Sequence, residues 1–475
     1  MVYDMEKKLL LIIAIVVLAV IIGSVAYYFA TLKPPVKEVT IVVLSPEWEP
    51  GKIAEEISKD FTAYAEEKLG YKVYVKFDFT PWGTYYTRVM SIVAARSSEV
   101  DVIFSDSQWL GELFEGGHII SLKDFILGDP DLKKALLEDT YPNLIYFYTA
   151  YPQGSDNYVG VPGYADATPL LYFRTDLFTH PEERAAFKEK YGYDLPTTLE
   201  EWKNIDWVQL RDIAEFFTRK KGEKLAGKVL DEDFYGIAIV LSRDYDFISC
   251  FFLSVFWSWD SELWDPATRN PIGYINSTKA KEALEFFVSL TRYMPPGAPT
   301  FDYDKVISLY AQGKVAMTIL WPSMAPALFD PKTSKVYDVT GVAIQPHHNG
   351  IRYTILGGQP LVVSAYSRYK DEAKLFIKWF YTVAYKDFSL RVGFTARRSI
   401  AESPEFLNSK PWARAFTEAI QYAKDFWNIP YYGKMLEVQQ LYLNKAVAGE
   451  ISPSEALDII AAEQWKIVQE YEKKG

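Results

Sequence analysis

The stretches VTIVVLSPEWE (residues 39–49), VYVKFDFTPWG (73–83) and VDVIFSDSQW (100–109) decide the fold, because each runs from an apolar segment into a short polar loop. Residues 39–44, 73–79 and 100–104 are predicted strands, since β-branched, nearly continuous apolar sequence is typical of buried parallel strands. Residues 52–69 carry apolar side chains at helical spacing, and residues 85–95 and 108–115 are predicted as the next two helices. The resulting βαβαβ order predicts a parallel sheet with right-handed crossovers.

The loops that follow these three strands hold the candidate site. Ligands of open parallel sheets bind beyond the carboxyl ends of the strands. Each of the three loops carries a tryptophan, Trp48, Trp82 or Trp109, and two carry acids, Glu49 and Asp106 among them. A sugar ring stacks on indole, and its hydroxyls form charge-assisted hydrogen bonds to carboxylates, each contributing about 1.5–3 kcal/mol. The alternative is that these tryptophans pack the loops onto helices, as buried tryptophans do.

Composition excludes several classes of protein. The 475 residues predict two to four domains, and 49% hydrophobic with 24% charged residues is globular composition. A net charge of −11 disfavours nucleic-acid binding. One cysteine, Cys250, and four histidines permit no internal disulfide and disfavour metal chemistry and cofactors. The pair His347-His348 is not a predicted metal site, because adjacent residues on a strand point to opposite faces.

The N-terminus carries a membrane signal. Residues 9–30 (LLLIIAIVVLAVIIGSVAYYFA) are uncharged, and a helix of this length spans about 33 Å, enough to cross the hydrocarbon core. We expect an uncleaved anchor; the alternative is a signal peptide cleaved after the small-x-small sequence at 24–26. Either interpretation places the remainder outside the cell, beyond a short tether at residues 31–37.

The rest of the chain adds strands, helices and a second aromatic cluster. Residues 170–174 and 316–321 are predicted strands, and residues 452–455 (SPSE) are a capping box that opens a helix. Residues 256–264, which include Trp257, are rich in tryptophan and form either part of a core or part of the site. The sequence Asn276-Ser277-Thr278 is either a glycosylation sequon or a helix cap.

Ordered motifs resemble a known family. The segments DVIFSDSQWLGELFEGGHIISLKDFI (101–126), YVGVPGYADATPLLYFRTDLF (158–178), PTTLEEW (196–202), YAQGKVAMTILWP (310–322) and GGQPLVVSAYSRYKDEAKLF (357–376) follow one another as in that family. Together they resemble the extracellular solute-binding proteins of ABC sugar importers, of the family 1, maltose/trehalose-binding type. The resemblance covers about residues 39–471, and a spanning helix without a lipid-attachment cysteine fits an archaeal version.

The resemblance implies an α/β fold with two lobes that close like a clamp, the type II periplasmic-binding-protein fold. It has mixed sheets with helices on both faces, here preceded by the transmembrane helix. The predicted domains are an anchor and tether (1–38), lobe 1 (39–162 with 346–388) and lobe 2 (163–345 with 389–475). Hinges are expected near residues 161–164 and 343–346 and after residue 385.

Site residues also follow from the resemblance. Tyr164 and Asp166 match the family's Tyr-x-Asp, in which the ring stacks on the ligand and the acid binds hydroxyls. Asp106 matches the acid after the third strand, and Trp321 matches the stacking tryptophan of a Trp-Pro pair. Arg398, in GFTARRSI, matches a late arginine that donates to hydroxyls.

One departure concerns the glycine pair at 357–358, after which the family often has an aromatic residue. This chain has Gln359-Pro360 there, which leaves the orientation and length of the substrate open. With the loop candidates, the predicted ligand-binding residues are Trp48, Glu49, Trp82, Asp106, Trp109, Tyr164, Asp166, Trp257, Trp321, Gly358 and Arg398.

The predicted function is capture of a di- or oligosaccharide between the lobes and its delivery to a membrane permease. The partners are the sugar and the ABC permease subunits, and the protein is expected to be a monomeric, non-enzymatic, cofactor-free binding protein anchored in the cell membrane. A peptide or polyol-phosphate ligand is the first alternative, although only Arg397 and Arg398 lie at the predicted loops to bind a phosphate. A glycoside hydrolase is the second, since it too combines aromatics with paired acids.

Overall fold

The computed structural model describes residues 2–31 and 37–473, and it describes the side chains of residues 3–25 and 37–473. Its strands are β1 Glu38–Pro46, β2 Lys72–Thr80, β3 Val102–Phe104, β4 Val161–Tyr164, β5 Leu170–Arg174, β6 Lys224–Leu225, β7 Lys228–Val229, β8 Tyr235–Ala238, β9 Val315–Leu320, β10 Thr340–Ala343, β11 Thr354–Ile355, β12 Gln359–Val363 and β13 Ala423–Lys424.

Many of the helices consist of a single turn. In the first half of the chain they are α1 Val2–Thr31, α2 Glu49–Ile57, α3 Phe61–Leu69, α4 Trp82–Ala94, α5 Leu110–Glu115, α6 Lys123–Gly128, α7 Pro130–Lys133, α8 Pro142–Leu144, α9 Thr175–Phe178, α10 Pro181–Tyr191, α11 Leu199–Trp202 and α12 Trp207–Phe217. In the second half they are α13 Phe247–Ser258, α14 Thr278–Ser289, α15 Tyr303–Ala311, α16 Pro326–Phe329, α17 Lys370–Trp379, α18 Tyr385–Val392, α19 Arg398–Ala401, α20 Pro404–Leu407, α21 Ala413–Ala419, α22 Tyr432–Val447 and α23 Pro453–Glu472.

Two mixed sheets form the cores of two lobes. The sheet of lobe 1 has the order β2-β1-β3-β12-β4, with β1 parallel to β2 and β3 and with β12 antiparallel to both of its neighbours. The sheet of lobe 2 has the order β10-β5-β9-β8. The chain passes between the sheets from β4 to β5 and returns from β10 to β12, at two of the segments predicted as hinges. This is the predicted two-lobe architecture with mixed sheets; the exact lobe boundaries stay a prediction.

The register between β1 and β2 positions the candidate site. It runs unbroken from Glu38 opposite Lys72 to Pro46 opposite Thr80, and the Glu47 N–H continues it by donating to the Thr80 carbonyl at 2.8 Å. Trp48 and Trp82 each follow the last paired residue of their strand by the same interval. The parallel pairing of these apolar strands therefore places the two indoles side by side.

The predicted helix over residues 52–69 is wrong in one respect. The structure has two helices, α2 and α3, separated by a tight 3-10 turn at Ser58–Asp60. Helix α3 ends at Gly70, whose φ of 76° is the left-handed conformation that glycine adopts without strain.

Capping interactions set several other helix starts. The Ser452 hydroxyl accepts from the Glu455 N–H at 3.1 Å, which confirms the predicted cap of α23. At the sequon, the cap of α14 is Ser277, whose hydroxyl accepts from the Ala280 N–H at 3.2 Å. Asn276 instead donates its side-chain amide to Asp458 at 2.8 Å.

Helix α1 contains one segment, Tyr3–Val25, that is long and apolar enough to cross a membrane, and none of it is buried against the protein. It is a candidate anchor and overlaps the predicted span at 9–30. Most of the predicted tether, residues 32–36, lies outside the described residues.

Candidate functional site

A cavity of about 550 Å³ lies between the two lobes, at the carboxyl ends of β1, β2 and β3. Lobe 2 contributes the chain before α13, the start of α15 and the segment after β9. The lining residues are Glu47, Trp48, Trp82, Gly83, Asp106, Gln108, Asp166, Asp244, Tyr245, Asp246, Phe247, Cys250, Asp302, Tyr303, Asp304, Ile307, Trp321, Ser323, Met324, Leu356, Gly357, Gly358 and Gln359.

The three loop tryptophans of lobe 1 form a near-parallel row. The centroids of Trp48 and Trp82 are 6.0 Å apart with an interplanar angle of 12°, and those of Trp82 and Trp109 are 6.4 Å apart at 18°. Trp48 and Trp82 are half-buried and line the cavity. Trp109 is 1% exposed, lies behind them and donates its indole N–H to the Tyr245 hydroxyl. Trp109 therefore supports the wall and does not face the cavity.

Tyr164 also lies behind the wall. Its ring stacks on Phe104 at 3.8 Å and meets the Trp48 ring edge-on at 5.6 Å, while its hydroxyl pairs with that of Ser45 at 3.0 Å. The side chain is fully buried. The predicted stacking role thus falls on Trp48, which Tyr164 holds in place.

Trp321 and Gly358 line the cavity as predicted. The Trp321 indole N–H donates to the Tyr303 hydroxyl at 2.8 Å, which orients the ring from lobe 2. Gly358 has a φ of +122°, and a Cβ there would collide with the Tyr148 hydroxyl. Only glycine allows the backbone to pass this close to the wall.

Two predicted acids lie in the deep part of the cavity. Asp166 accepts from the Ser323 N–H at 3.1 Å, and burial raises the pKa of its carboxyl to about 7. Asp106 is 2% exposed, and burial together with the neighbouring Asp246 and Asp425 raises its pKa well above the usual range. Both carboxyls lie beside the solute space without a basic partner among the described residues.

The sequence analysis missed several site residues. Asp246 lines the cavity, and burial raises its pKa to about 6. Asp425 accepts from the Ser107 hydroxyl at 2.6 Å and from the Gln108 amide at 3.0 Å, and burial raises its pKa to about 7. The acid-aromatic-acid sequence at 244–246 was a usable signal, whereas nothing local distinguishes Asp425.

Three predicted residues lie away from the cavity. Glu49 is exposed on the first turn of α2, and it is Glu47 that faces the cavity. Trp257 is 1% exposed in the last turn of α13 and belongs to the core. Arg398 is exposed and donates to the Glu138 carbonyl. None of the three lines the cavity.

The histidine pair is arranged differently from our prediction. The Nδ1 atoms of His347 and His348 both face Asp206, at 3.6 and 3.3 Å, because the chain bends there instead of continuing as a strand. Among residues 2–31 and 37–473, no group of three or more His, Cys, Asp or Glu side chains could hold a metal ion.

Comparison with known proteins identifies the family. Residues 46–387 match the model of the family described as bacterial extracellular solute-binding protein. A mannitol-binding protein of Pseudomonas aeruginosa is 26% identical over 343 residues, which are 66% of this chain and 70% of that protein.

Solved structures share the fold. A solute-binding protein of an ABC transporter from Agrobacterium radiobacter K84, in complex with ribitol, is 22% identical with a TM-score of 0.70, covering 92% of this chain and all of its own. The maltose-bound MalE3 of T. maritima is 21% identical with a TM-score of 0.68, covering 90% and 98%. The two-lobe clamp predicted from the motifs is thus confirmed. The chain belongs to the bacterial extracellular solute-binding protein family, the family of ABC importer solute-binding proteins that its motifs resemble.

Proposed function

We propose that this protein captures a small carbohydrate, a disaccharide or an acyclic polyol, in the cavity between its lobes and presents it to the permease of an ABC importer. The observation that carries this proposal is the composition of the cavity wall, which combines indole rings with carboxyl and amide oxygens. Its volume of about 550 Å³ lies within the roughly 300–1,000 Å³ of small-molecule sites.

Each part of the wall suits a polyhydroxylated solute. The half-buried Trp48 and Trp82 offer apolar surface for C–H groups, and Trp321 does so from lobe 2. Asp166 and Gln359 offer acceptors for hydroxyl donors. The relatives named above as binding mannitol, ribitol and maltose support a sugar or polyol; the maltose/trehalose subtype and an archaeal source remain our proposals.

Contacts between the lobes support a clamp mechanism. Trp109 of lobe 1 donates to Tyr245 of lobe 2, and Ser107 and Gln108 of lobe 1 donate to Asp425, which precedes α22. A solute that touches both walls stabilises the closed arrangement relative to the open one. Closure therefore couples occupancy to a shape that a permease can recognise.

The remaining parts of the proposal concern location. Helix α1 is the candidate anchor, and as an uncleaved anchor it would hold a monomeric clamp at the outer face of the cell membrane. Tethering raises the effective concentration of the loaded clamp at the permease. The lobe boundaries predicted above and the candidate ligand-binding residues that line the cavity form part of this proposal.

The structure disfavours a phosphorylated solute. Seven carboxylic acids line the cavity, and no lysine, arginine or histidine in the described part of the chain does so. A phosphate would meet repulsion without a compensating cation. Binding of a peptide and hydrolysis of a glycoside are the alternatives that the experiment below distinguishes.

The test is a thermal-shift screen of the full chain in detergent. The panel contains maltose, trehalose, maltotriose, cellobiose, a xylo-oligosaccharide, mannitol, ribitol, a dipeptide and glycerol 3-phosphate. A solute at about 100 times its Kd adds roughly 2.7 kcal/mol of stability, which is readily visible. We expect a shift with a sugar or polyol, unchanged solute on recovery, and loss of the response in Trp321→Ala but not in Trp264→Ala. A response only to the dipeptide or the phosphate, or recovery of cleaved sugar, would contradict the proposal.

A further inference from the structure

The cavity wall carries a one-sided charge. Three buried acids, Asp106, Asp166 and Asp246, and four more exposed ones line it, without a lysine, arginine or histidine in the ranges 2–31 and 37–473. None of the seven forms a salt bridge with a described residue. Asp139, which lies outside the cavity, is in contrast paired with Arg397 at 2.7 Å.

Unpartnered acceptors are a second, independent observation. Gln108 and Gln359 line the cavity and are 1% and 4% exposed, and the buried side-chain oxygen Oε1 of each has no hydrogen-bond partner in the described structure. Leaving a buried acceptor unpaired costs about 1–3 kcal/mol, a cost that a donor supplied by a solute would offset. The indole N–H of Trp321, in contrast, already donates to Tyr303.

Repulsion between the buried acids also favours a positively charged solute. Asp106 lies among Asp246 and Asp425, and these like charges disfavour its ionised form. The other titratable groups that face this cluster are Tyr245, Tyr432 and Cys250, which burial keeps neutral. With a neutral sugar the acids relieve this repulsion only by taking up protons, whereas a bound cation allows them to ionise.

We infer that the solute carries a protonated amine, so that the cavity takes an amine-bearing sugar or polyol. This inference rests on the proposed function and narrows its solute class. An ammonium group brings three donors and a positive charge to the carboxylates and amide oxygens. The indole rings provide surface for the carbohydrate part and attract a cation placed over their faces.

The test uses matched solutes on the full chain in detergent, measured by titration calorimetry. The pairs are glucosamine with glucose, 1-amino-1-deoxysorbitol with sorbitol, and fully deacetylated chitobiose with cellobiose, and putrescine is the amine without carbohydrate. We expect the amine of at least one pair to bind about tenfold more tightly than its neutral parent at low salt, as a charge-assisted bond does. Added salt should reduce this preference.

Proton release is a second readout. At pH 6.5 Asp166 and Asp246, whose pKa values burial raises to about 7 and about 6, are partly protonated, and a bound ammonium lowers these pKa values, so binding releases protons to the buffer. Titrations in buffers of different ionisation enthalpy should show release for the amine and none for its parent. In Asp246→Asn the preference for the amine should fall, and in the exposed control Asp338→Asn it should be unchanged.

The outcomes separate the two proposals. Equal or tighter binding of the neutral parent in every pair overturns the amine inference and leaves carbohydrate capture standing. Binding of putrescine alone, or silence from every solute in both panels, overturns both.

Discussion

Two aromatic clusters of this protein differ in their burial. Trp48, Trp82 and Trp109 follow three neighbouring parallel strands, and two of the three remain half-buried at the cavity. Helix α13, which holds Trp257, is buried at all twelve of its positions. Aromatic content alone therefore does not identify a site. A tryptophan is available to a solute where it leaves a sheet edge with no further layer to cover it.

Energetics differ between the two regions as well. A helix that is apolar on all sides contributes through burial of its whole surface. The cavity wall instead keeps buried carboxyls and amide oxygens whose partners are incomplete, and such groups cost stability. We expect substitutions in the helix to lower stability and some in the wall to raise it.

The largest effect should come from the core. Trp257→Ala should lower the free energy of unfolding by about 3–5 kcal/mol, because it leaves a large cavity in a fully buried helix. Urea unfolding measures this loss, and the half-buried Trp264→Ala should lose less. A drop in solute affinity without loss of stability would instead place Trp257 in the site.

The opposite sign is expected for Asp166→Asn. The folded-state pKa of Asp166 is about 7, above its unfolded value, so the ionised carboxyl destabilises the protein increasingly between about pH 4 and 7. The variant should exceed the wild type in stability by up to about 4 kcal/mol at pH 8 and equal it below pH 4. Thermal unfolding across this range measures the difference.

Asp139→Asn is the control for that sign. Burial acts to raise the pKa of Asp139, but hydrogen bonds from Ser399 and Arg397 outweigh it and hold the pKa below its usual range. This variant should therefore be less stable than the wild type at pH 7, and the difference should vanish in acid. Equal behaviour of the two variants would contradict the distinction between paired and unpaired acids.

A smaller effect is expected at the cavity wall itself. Trp82→Ala should weaken solute binding about 10- to 30-fold, equivalent to about 1.4–2 kcal/mol. Its stability loss should be smaller than that of Trp257→Ala, since the ring is half-buried. Calorimetric titration with the solute found by the screen measures the affinity, and unchanged affinity would show that Trp82 only packs its loop.

The smallest effect compares two neighbouring glutamates. Glu47→Gln should weaken binding about threefold, the scale of an exposed charge. Glu49→Gln should leave affinity unchanged, because its side chain lies outside the cavity. A larger loss of affinity in Glu49→Gln than in Glu47→Gln would support Glu49 as the ligand-binding residue, as predicted from the sequence. It would also require a different geometry of the loop after β1.

Much of the fold could be predicted because it depends on local patterns. The three strands follow from their runs of apolar residues, and their parallel pairing follows from the alternation of strands and helices along the chain. The tryptophans come directly after these strands in the sequence. Of the predicted site residues, Trp48, Trp82, Asp106, Asp166, Trp321 and Gly358 line the cavity. Trp109 and Tyr164 were placed in the right region but lie one layer behind, since sequence spacing does not determine which ring covers which.

From the sequence alone, the ordered motifs predicted two α/β lobes, and the apolar N-terminal segment predicted a candidate membrane span. Tertiary structure alone decided that Asp246 and Asp425 join Asp106, since residues far apart in the chain meet only where the lobes close. It also decided that Glu47 faces the cavity and Glu49 does not, because the turn after β1 sets the direction of each side chain. Periodicity is local and can be read along the chain, whereas the electrostatics of a cavity depends on which distant groups share it.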